Sequence, residues 1–276
     1  MREIILTLKK ELHRPVDGRA ISPDILVAKS TEEIDSTKIW EGNKQIELAE
    51  IFQVVERVEG TSNEILVRVV GDASKIRKIG YRMTSGSLVV DGSAGMYLGE
   101  EMSGGSIIVA GNAGAWLGTK MTEGQIEVKG NAGDYVGAGY RGTTLGMKGG
   151  LILIHGNVGN EAGCWMRNGT IRVKGNAGLF PGIHMGNGTV YVEGDCAGRA
   201  GAQMRGGKII IGRHIPLILP SFTFEGILSK AKIGKEELSG PFYAFSGDLN
   251  EDGKGRLSVS VNNNLQLKWY EKYLET

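Results

Sequence analysis

Residues 83–101 read MTSGSLVVDGSAGMYLGEE, and residues 102–120 read MSGGSIIVAGNAGAWLGTK. The two segments align without a gap, and the register continues along the chain. Met83, Met102, Met121, Met147, Met166, Met185 and Met204 open successive units of 19 residues, except that Met147 follows Met121 after 26. The fourth residue of every unit is glycine, from Gly86 to Gly207, and the sixth and eighth are apolar and mostly β-branched, as in Ile107/Val109 and Ile171/Val173. The tenth is glycine from Gly92 to Gly194, followed by Asn112, Asn131, Asn157, Asn176 or Asp195 in five units.

Alternating apolar β-branched residues are the pattern of a strand with one buried face. A Gly-Asn step after the strand turns the chain, because both residues tolerate positive φ. Nineteen residues are too few for a strand–helix–strand unit, which needs about 30. The repeat therefore predicts an all-β fold, a right-handed parallel β-helix in which like residues stack at about 4.8 Å. The right hand is taken from the general rule for crossovers between parallel strands. Small residues at positions twelve and sixteen, such as Ala94/Leu98 and Ala113/Leu117, predict a narrow core between two sheets. The methionine column reads as an adaptable core filler at a corner.

The pattern divides the chain into an N-terminal cap over 1–62, a β-helix over 63–220 and a C-terminal capping segment over 221–276. A solenoid needs caps because its terminal coils expose unpaired edges. Within the first cap, Ile4 to Leu8 and Ile25 to Ala28 read as strands. KIWEGNKQIEL reads as a hairpin turning at Gly42-Asn43, and Ser30 with Glu33 as a helix capping box. Residues 64–82 read as a degenerate first coil. RLSVSV near residue 258 reads as a strand in a tail that folds over the last coil.

The bulk numbers exclude several function classes. A net charge of +1 without a block of like charge gives no argument for nucleic acid or an anionic membrane surface. The apolar run at the N-terminus is too short for a signal peptide or a membrane span. Two cysteines, Cys164 and Cys196, make no disulfide framework and suit a cytoplasmic setting. The sequence Gly137-Ala-Gly139-Tyr-Arg-Gly142 matches a dinucleotide fingerprint, but no helix-period segment follows it. Asn168-Gly-Thr170 and Asn187-Gly-Thr189 match glycosylation sequons, yet they stand at coil corners. Cys164 and His184 lie in neighbouring coils without a third partner. His155 falls in an outward column with Asp91, Lys129, Lys174 and Glu193. No catalytic, cofactor-binding or metal-binding residue is expected on the chain.

One irregularity remains. The unit opened by Met121 is seven residues too long, and the surplus falls within 138–146, AGYRGTTLG. Insertions in solenoids map to loops on one face, often the binding face. Tyr140 and Arg141 stand on this loop, and both residue types are favoured interface anchors. They are the expected partner-contact residues.

These residues carry a resemblance. The tandem M-x-x-G-x-[IVL]-x-[VI]-x-G-[ND] units, the lengthened stretch DYVGAGYRGTTLGMKGG, and the runs PGIHMGNG and GPFYAFSGD resemble the C subunit of formylmethanofuran dehydrogenase over most of the chain. The repeats alone are shared with the β-helix domain of the glutamate synthase large chain and with the C subunit of the formyltransferase/hydrolase complex. The resemblance implies a non-catalytic scaffold subunit in a complex that reduces CO2 to formate and attaches it to methanofuran. It implies that the tungsten- or molybdenum-pterin, the iron–sulfur clusters and a dinuclear metal site belong to partners. Those partners would be a metal-pterin redox subunit, an amidohydrolase subunit and ferredoxin-like subunits. Two alternatives stand beside it: the C subunit of a formyltransferase/hydrolase complex, and a free-standing β-helix enzyme acting on carbohydrates.

Overall fold

The structure, a computed structural model, describes residues 1–58, 64–140 and 142–274. Its centre is a 13-stranded sheet. Numbered in chain order, its strands are β1 (Arg2–Leu8), β2 (Phe52–Val58), β3 (Ile65–Val70), β4 (Ser87–Asp91), β5 (Ser103–Val109), β6 (Glu123–Val128), β7 (Lys148–Ile154), β8 (Asn168–Val173), β9 (Thr189–Val192), β10 (Lys208–Ile211), β11 (Thr223–Ile233), β12 (Glu236–Gly247) and β13 (Gly255–Ser260).

From β3 to β10 each strand pairs in parallel with the next, in the register set by the repeat. Leu88, Ile107, Ile126, Ile152, Ile171, Val190 and Ile209 form one column, and Val90 to Ile211 form a second. All are fully buried. Burying one such side chain contributes about 2 kcal/mol. A second, thinner parallel ladder joins Ala73, Ala94, Ala113, Ala132, Val158 and Ala177, and continues to Cys196. The core lies between the two ladders and is narrow because the second is made of small residues.

The fourth-position glycines all take left-handed φ, between 76° and 98°, and from Gly105 onward a methionine packs against each of them. Each opening methionine is completely buried, and its methyl group fills the place where a side chain on the next unit's fourth residue would stand. A Cβ added to Gly124 would lie 2.8 Å from Met102 Cε, and one added to Gly169 would lie 2.8 Å from Met147 Cε. Met204 makes the same contact with Gly255, where an added Cβ would overlap its Cε. The segment Gly255-Arg-Leu257-Ser-Val259 is thus a further layer of the stack. Leu257 pairs with Ile209 and Val259 with Ile211, after an excursion through residues 213–254.

Gly92 takes a positive φ as expected, but later tenth-position glycines have a different cause. Gly130, Gly156, Gly175 and Gly194 do not adopt positive φ. They are glycine because of close approach: a Cβ on Gly175 would meet both Asn157 Oδ1 and Gly156 O at 2.5 Å. The asparagines after them form a ladder of their own. Asn131 N–H donates to Asn112 Oδ1, Asn157 N–H to Asn131 Oδ1, and Asn176 N–H to Asn157 Oδ1, each at 2.8 Å. Asn157→Ala removes one acceptor and leaves the Asn176 N–H to water, a loss of about 1 kcal/mol. The thermal midpoint of the full chain should fall by about 2–4 °C, and an unchanged midpoint would remove the ladder from the list of stabilising features.

Both ends of the stack change to antiparallel pairing. At one end β1 lies parallel to β3 and antiparallel to β2. At the other, β12 lies antiparallel to β13 and to β11. The hairpin of Lys38–Glu41 and Lys44–Glu47 forms as expected, and Ser30 and Glu33 make the capping box of a short helix at Thr31–Asp35. Ile25 to Ala28 is not a strand. Pro23–Leu26 is a helical turn, with Pro23 pre-setting its first φ and Asp24 in its first turn. The β11–β12 hairpin folds across the outer face of the stack. Ala231, Ile233 and Phe242 pack on Ile210 and Tyr191, and Arg172 is held between Glu193 at 2.7 Å and Glu236 at 2.8 Å.

Candidate interaction surface

Positions fifteen to nineteen of each unit form an arc with an unusual backbone. Outside the lengthened unit, positions fifteen, seventeen and nineteen all take left-handed φ: Tyr97 (64°), Gly99 (64°) and Glu101 (57°), then Trp116 (65°), Gly118 (62°) and Lys120 (56°). The alternation sends successive N–H groups in opposite directions along the stack. Tyr97 donates forward to Ala115 O at 3.0 Å, Gly99 backward to Ile79 O at 2.9 Å, and Glu101 forward to Thr119 O at 2.8 Å. Left-handed geometry costs a non-glycine residue about 1 kcal/mol. These inter-unit bonds offset that cost.

The arc turns its odd positions away from the main core, and large side chains gather there in a separate cluster. Trp116, Ala138 and Cys164 are buried, with Tyr97, Tyr135, Tyr140 and Trp165 packed half-buried around them. The Trp116 ring stacks on Tyr135 at 4.3 Å and on Tyr97 at 6.0 Å. Cations lie among the rings: Arg77 is 5.3 Å and Lys78 5.5 Å from the Tyr97 centroid, and Lys120 is 4.8 Å from that of Tyr140. Further along, Trp165 stacks on His184 at 4.1 Å. Burial holds the His184 imidazole below its ordinary value. Tyr97, Trp116 and Tyr135 stand 19 residues apart, so the column was present in the sequence. The methionine, glycine and β-branched columns of the same period do not include position fifteen, so a reading built on them passes over it.

The insertion enters this arc. Gly139 takes the nineteenth position, its N–H donating to Cys164 O at 3.2 Å, and Met147 resumes the register by donating to Gly137 O at 2.8 Å. The surplus residues are therefore 140–146. Tyr140 lies 5.9 Å from both Trp116 and Tyr97, half-buried. Arg167 donates from Nε (3.1 Å) and Nη2 (2.7 Å) to Thr144 O, tying the loop down, while Leu145 is left exposed. Arg141 lies outside the described residues. At the N-terminal end of the arc Glu100 is 2% exposed, and its Oε2 sits 3.1 Å from Lys78 Nζ.

The other residues singled out in the sequence take ordinary places. Burial, and then Glu161, push the Cys164 thiol up to about 12, and burial pushes Cys196 up to about 11, so neither is a thiolate at neutral pH. Cys164 and His184 are not joined by a hydrogen bond among the described residues. His155 Nε2 lies 2.6 Å from Glu127 Oε1, on the outer face as expected. Gly142 is followed by β7 rather than a helix. Among the described residues no three of His, Cys, Asp and Glu stand close enough to hold a metal ion.

No protein-family model matches the chain. The C subunit of the tungsten-containing formylmethanofuran dehydrogenase 2 of Methanococcus maripaludis is 52% identical over 274 residues, covering 97% of this chain and 100% of the relative. The corresponding sequence from strain S2 of that organism is 54% identical over 275 residues with the same coverage. The C subunit of the molybdenum-containing formylmethanofuran dehydrogenase 1 of Methanosarcina barkeri is 39% identical over 97 residues, which is 35% of this chain and 32% of the relative. A chain in the crystal structure of the formyltransferase/hydrolase complex from Methylorubrum extorquens, solved with methylofuran, superimposes with a TM-score of 0.82 at 28% identity. That match covers 93% of this chain and 99% of the other. With similarity at this level running along the whole chain, the protein belongs to the family of formylmethanofuran dehydrogenase C subunits.

Proposed function

We propose that the chain is a non-catalytic scaffold subunit of a formylmethanofuran dehydrogenase complex, which reduces CO2 to formate and attaches it to methanofuran. The observation that carries this reading is the 52% identity over 97% of the chain to a C subunit of that enzyme. The two relatives that match along their full length are tungsten-containing, which favours tungsten over molybdenum. The metal-pterin, the iron–sulfur clusters and the dinuclear metal site then sit on the redox, ferredoxin-like and amidohydrolase partners. The chain's part is to position those partners. The stacked units are read as a right-handed parallel β-helix, capped by 1–62 and 221–276 with the strand at 255–260 returned to the stack. Antiparallel pairing at both ends supports the caps. No helix among the described residues is long and apolar enough to cross a membrane. A cytoplasmic location is favoured by the two unpaired, buried cysteines.

Affinity purification of the tagged chain from native cells should bring down the metal-pterin and amidohydrolase subunits with tungsten. CO2-reducing activity in the isolated chain would overturn the scaffold role. The likeness to the formyltransferase/hydrolase chain supports a second reading, the C subunit of that type of complex. Absence of both tungsten and molybdenum from the purified complex would favour it.

Tyr140 and Arg141 are proposed as partner contacts. The support is the position of Tyr140 on an aromatic and cationic surface, with the exposed Leu145 on the same loop. Excising 140–146 restores a 19-residue unit. The shortened chain should fold, by its circular dichroism and melting transition, and fail to enter the complex. Unaltered assembly would sink the assignment.

A further inference from the structure

At positions three to five of the later units, where the main strands begin, a groove of about 510 Å³ runs along the stack beside the tip of the β11–β12 hairpin. Its volume lies in the range of small-molecule sites. Among the described residues, the walls carry three cations, Lys208, Lys254 and Arg256, together with Asn168, Asn187, Thr170 and Thr189, and no carboxylate. Glycines line its floor, so backbone is open to a ligand.

Two observations bear on these cations. The first is pairing. Several nearby cations have acidic partners: Arg172 has Glu193 and Glu236, Arg205 has Glu251, and Lys230 and Lys232 share Glu237. Among the described residues, the side chains of Lys208, Lys254 and Arg256 have no hydrogen bond or ion pair. The second is register. Thr170 pairs with Thr189, Thr189 with Lys208, and Lys208 with Arg256 on adjacent parallel strands. Two hydroxyls and two positive charges therefore stand in one row, about 4.8 Å apart. Like charges directly opposite on neighbouring strands repel. An anion lying between them would turn that repulsion into attraction, and the adjacent hydroxyls and amides would donate to its remaining oxygens.

We propose that this groove binds a compact multivalent oxyanion, a molecule carrying two or more carboxylate or phosphate groups. A single monovalent anion would engage one cation and leave the others unmatched. The row of donors and charges along the stack fits a ligand with charges at both ends. The proposal concerns this chain's own residues and stands apart from which partners the chain joins.

The test is isothermal titration of the full chain at low ionic strength with pyrophosphate, citrate and acetate in separate runs. Pyrophosphate or citrate should bind at least about tenfold more tightly than acetate, since each added charged hydrogen bond is worth that much or more. Lys208→Gln and Arg256→Gln should each weaken the preferred anion by about tenfold, and the double variant by more than either alone. Lys38→Gln, whose side chain pairs with Glu47 away from the groove, should leave binding unchanged. All these side chains are exposed, so the variants should fold, which circular dichroism checks. Preference for pyrophosphate assigns a phosphate ligand, and preference for citrate a polycarboxylate. Binding of neither anion, or equal binding by wild type and the double variant, would overturn the site.

Discussion

Replacing Trp116 with alanine should lower the stability of the unit it anchors by about 3 kcal/mol, the usual cost of deleting a large buried aromatic side chain. The residue is 9% exposed and lies within stacking distance of Tyr97, Tyr135 and Tyr140. Its removal leaves those three rings facing a cavity that the stack cannot close, because the unit spacing is fixed by hydrogen bonds on either side. The backbone is a weak factor here, since tryptophan and alanine are both disfavoured at φ 65°. The effect should extend to the loop at 140–146, which loses the surface that Tyr140 packs on. Two measurements check this. The urea midpoint should fall in proportion to the lost stability, and limited proteolysis should cut within the loop sooner than in wild type. Trp116→Phe keeps a ring in place and should cost less. A midpoint equal to wild type in Trp116→Ala would show that the cluster contributes nothing to the fold.

Lys78→Met should be comparably damaging for an electrostatic reason. Glu100 is 2% exposed, and the contact of its Oε2 with Lys78 Nζ at 3.1 Å has ion-pair distance without hydrogen-bond geometry. Breaking a buried pair by removing one partner costs about 3–5 kcal/mol, because the other charge is left uncompensated. The value here belongs at the lower end, about 3 kcal/mol, since the Lys78 side chain is 27% exposed. Lys78 also loses its cation–π contacts with Tyr81 and Tyr97. The double variant Lys78→Met/Glu100→Gln separates the causes. If the stranded charge dominates, the double variant is more stable than Lys78→Met alone, a coupling that a thermodynamic cycle reads directly. A double variant less stable than the single would assign the loss to packing of the lysine stem instead.

The parts of the structure legible beforehand are those in which one position repeats its environment. The Ile and Val columns, the buried methionines and the paired small residues at position twelve all follow from the 19-residue period. The hairpin at Gly42 and the capping box at Ser30 are local, and their few residues specify them. Errors arise where a local pattern has two causes. Ile25 to Ala28 is apolar enough for a strand, yet Pro23 starts a helical turn two residues earlier. Gly130, Gly156, Gly175 and Gly194 read as positive-φ turns, but an asparagine oxygen and a carbonyl in the preceding unit are what exclude any Cβ. The motif of Gly255, Leu257 and Val259 is visible as a strand, and only its contact with Met204 reveals it as another layer of the stack.

Taken alone, the sequence determines a stack of 19-residue units with apolar columns inside, and it locates the one lengthened unit. It does so because in-register stacking makes spatial neighbours of residues a constant number apart, so each contact is written as a period. Only the tertiary structure decides what the non-periodic residues meet. It brings Tyr140 back onto Trp116, sets Lys78 against Glu100, and returns Arg256 to the side of Lys208 after an excursion of more than 40 residues. Those pairings depend on where the chain leaves and rejoins the stack. The repeat carries no record of that, and the proposed functional surfaces lie at these points.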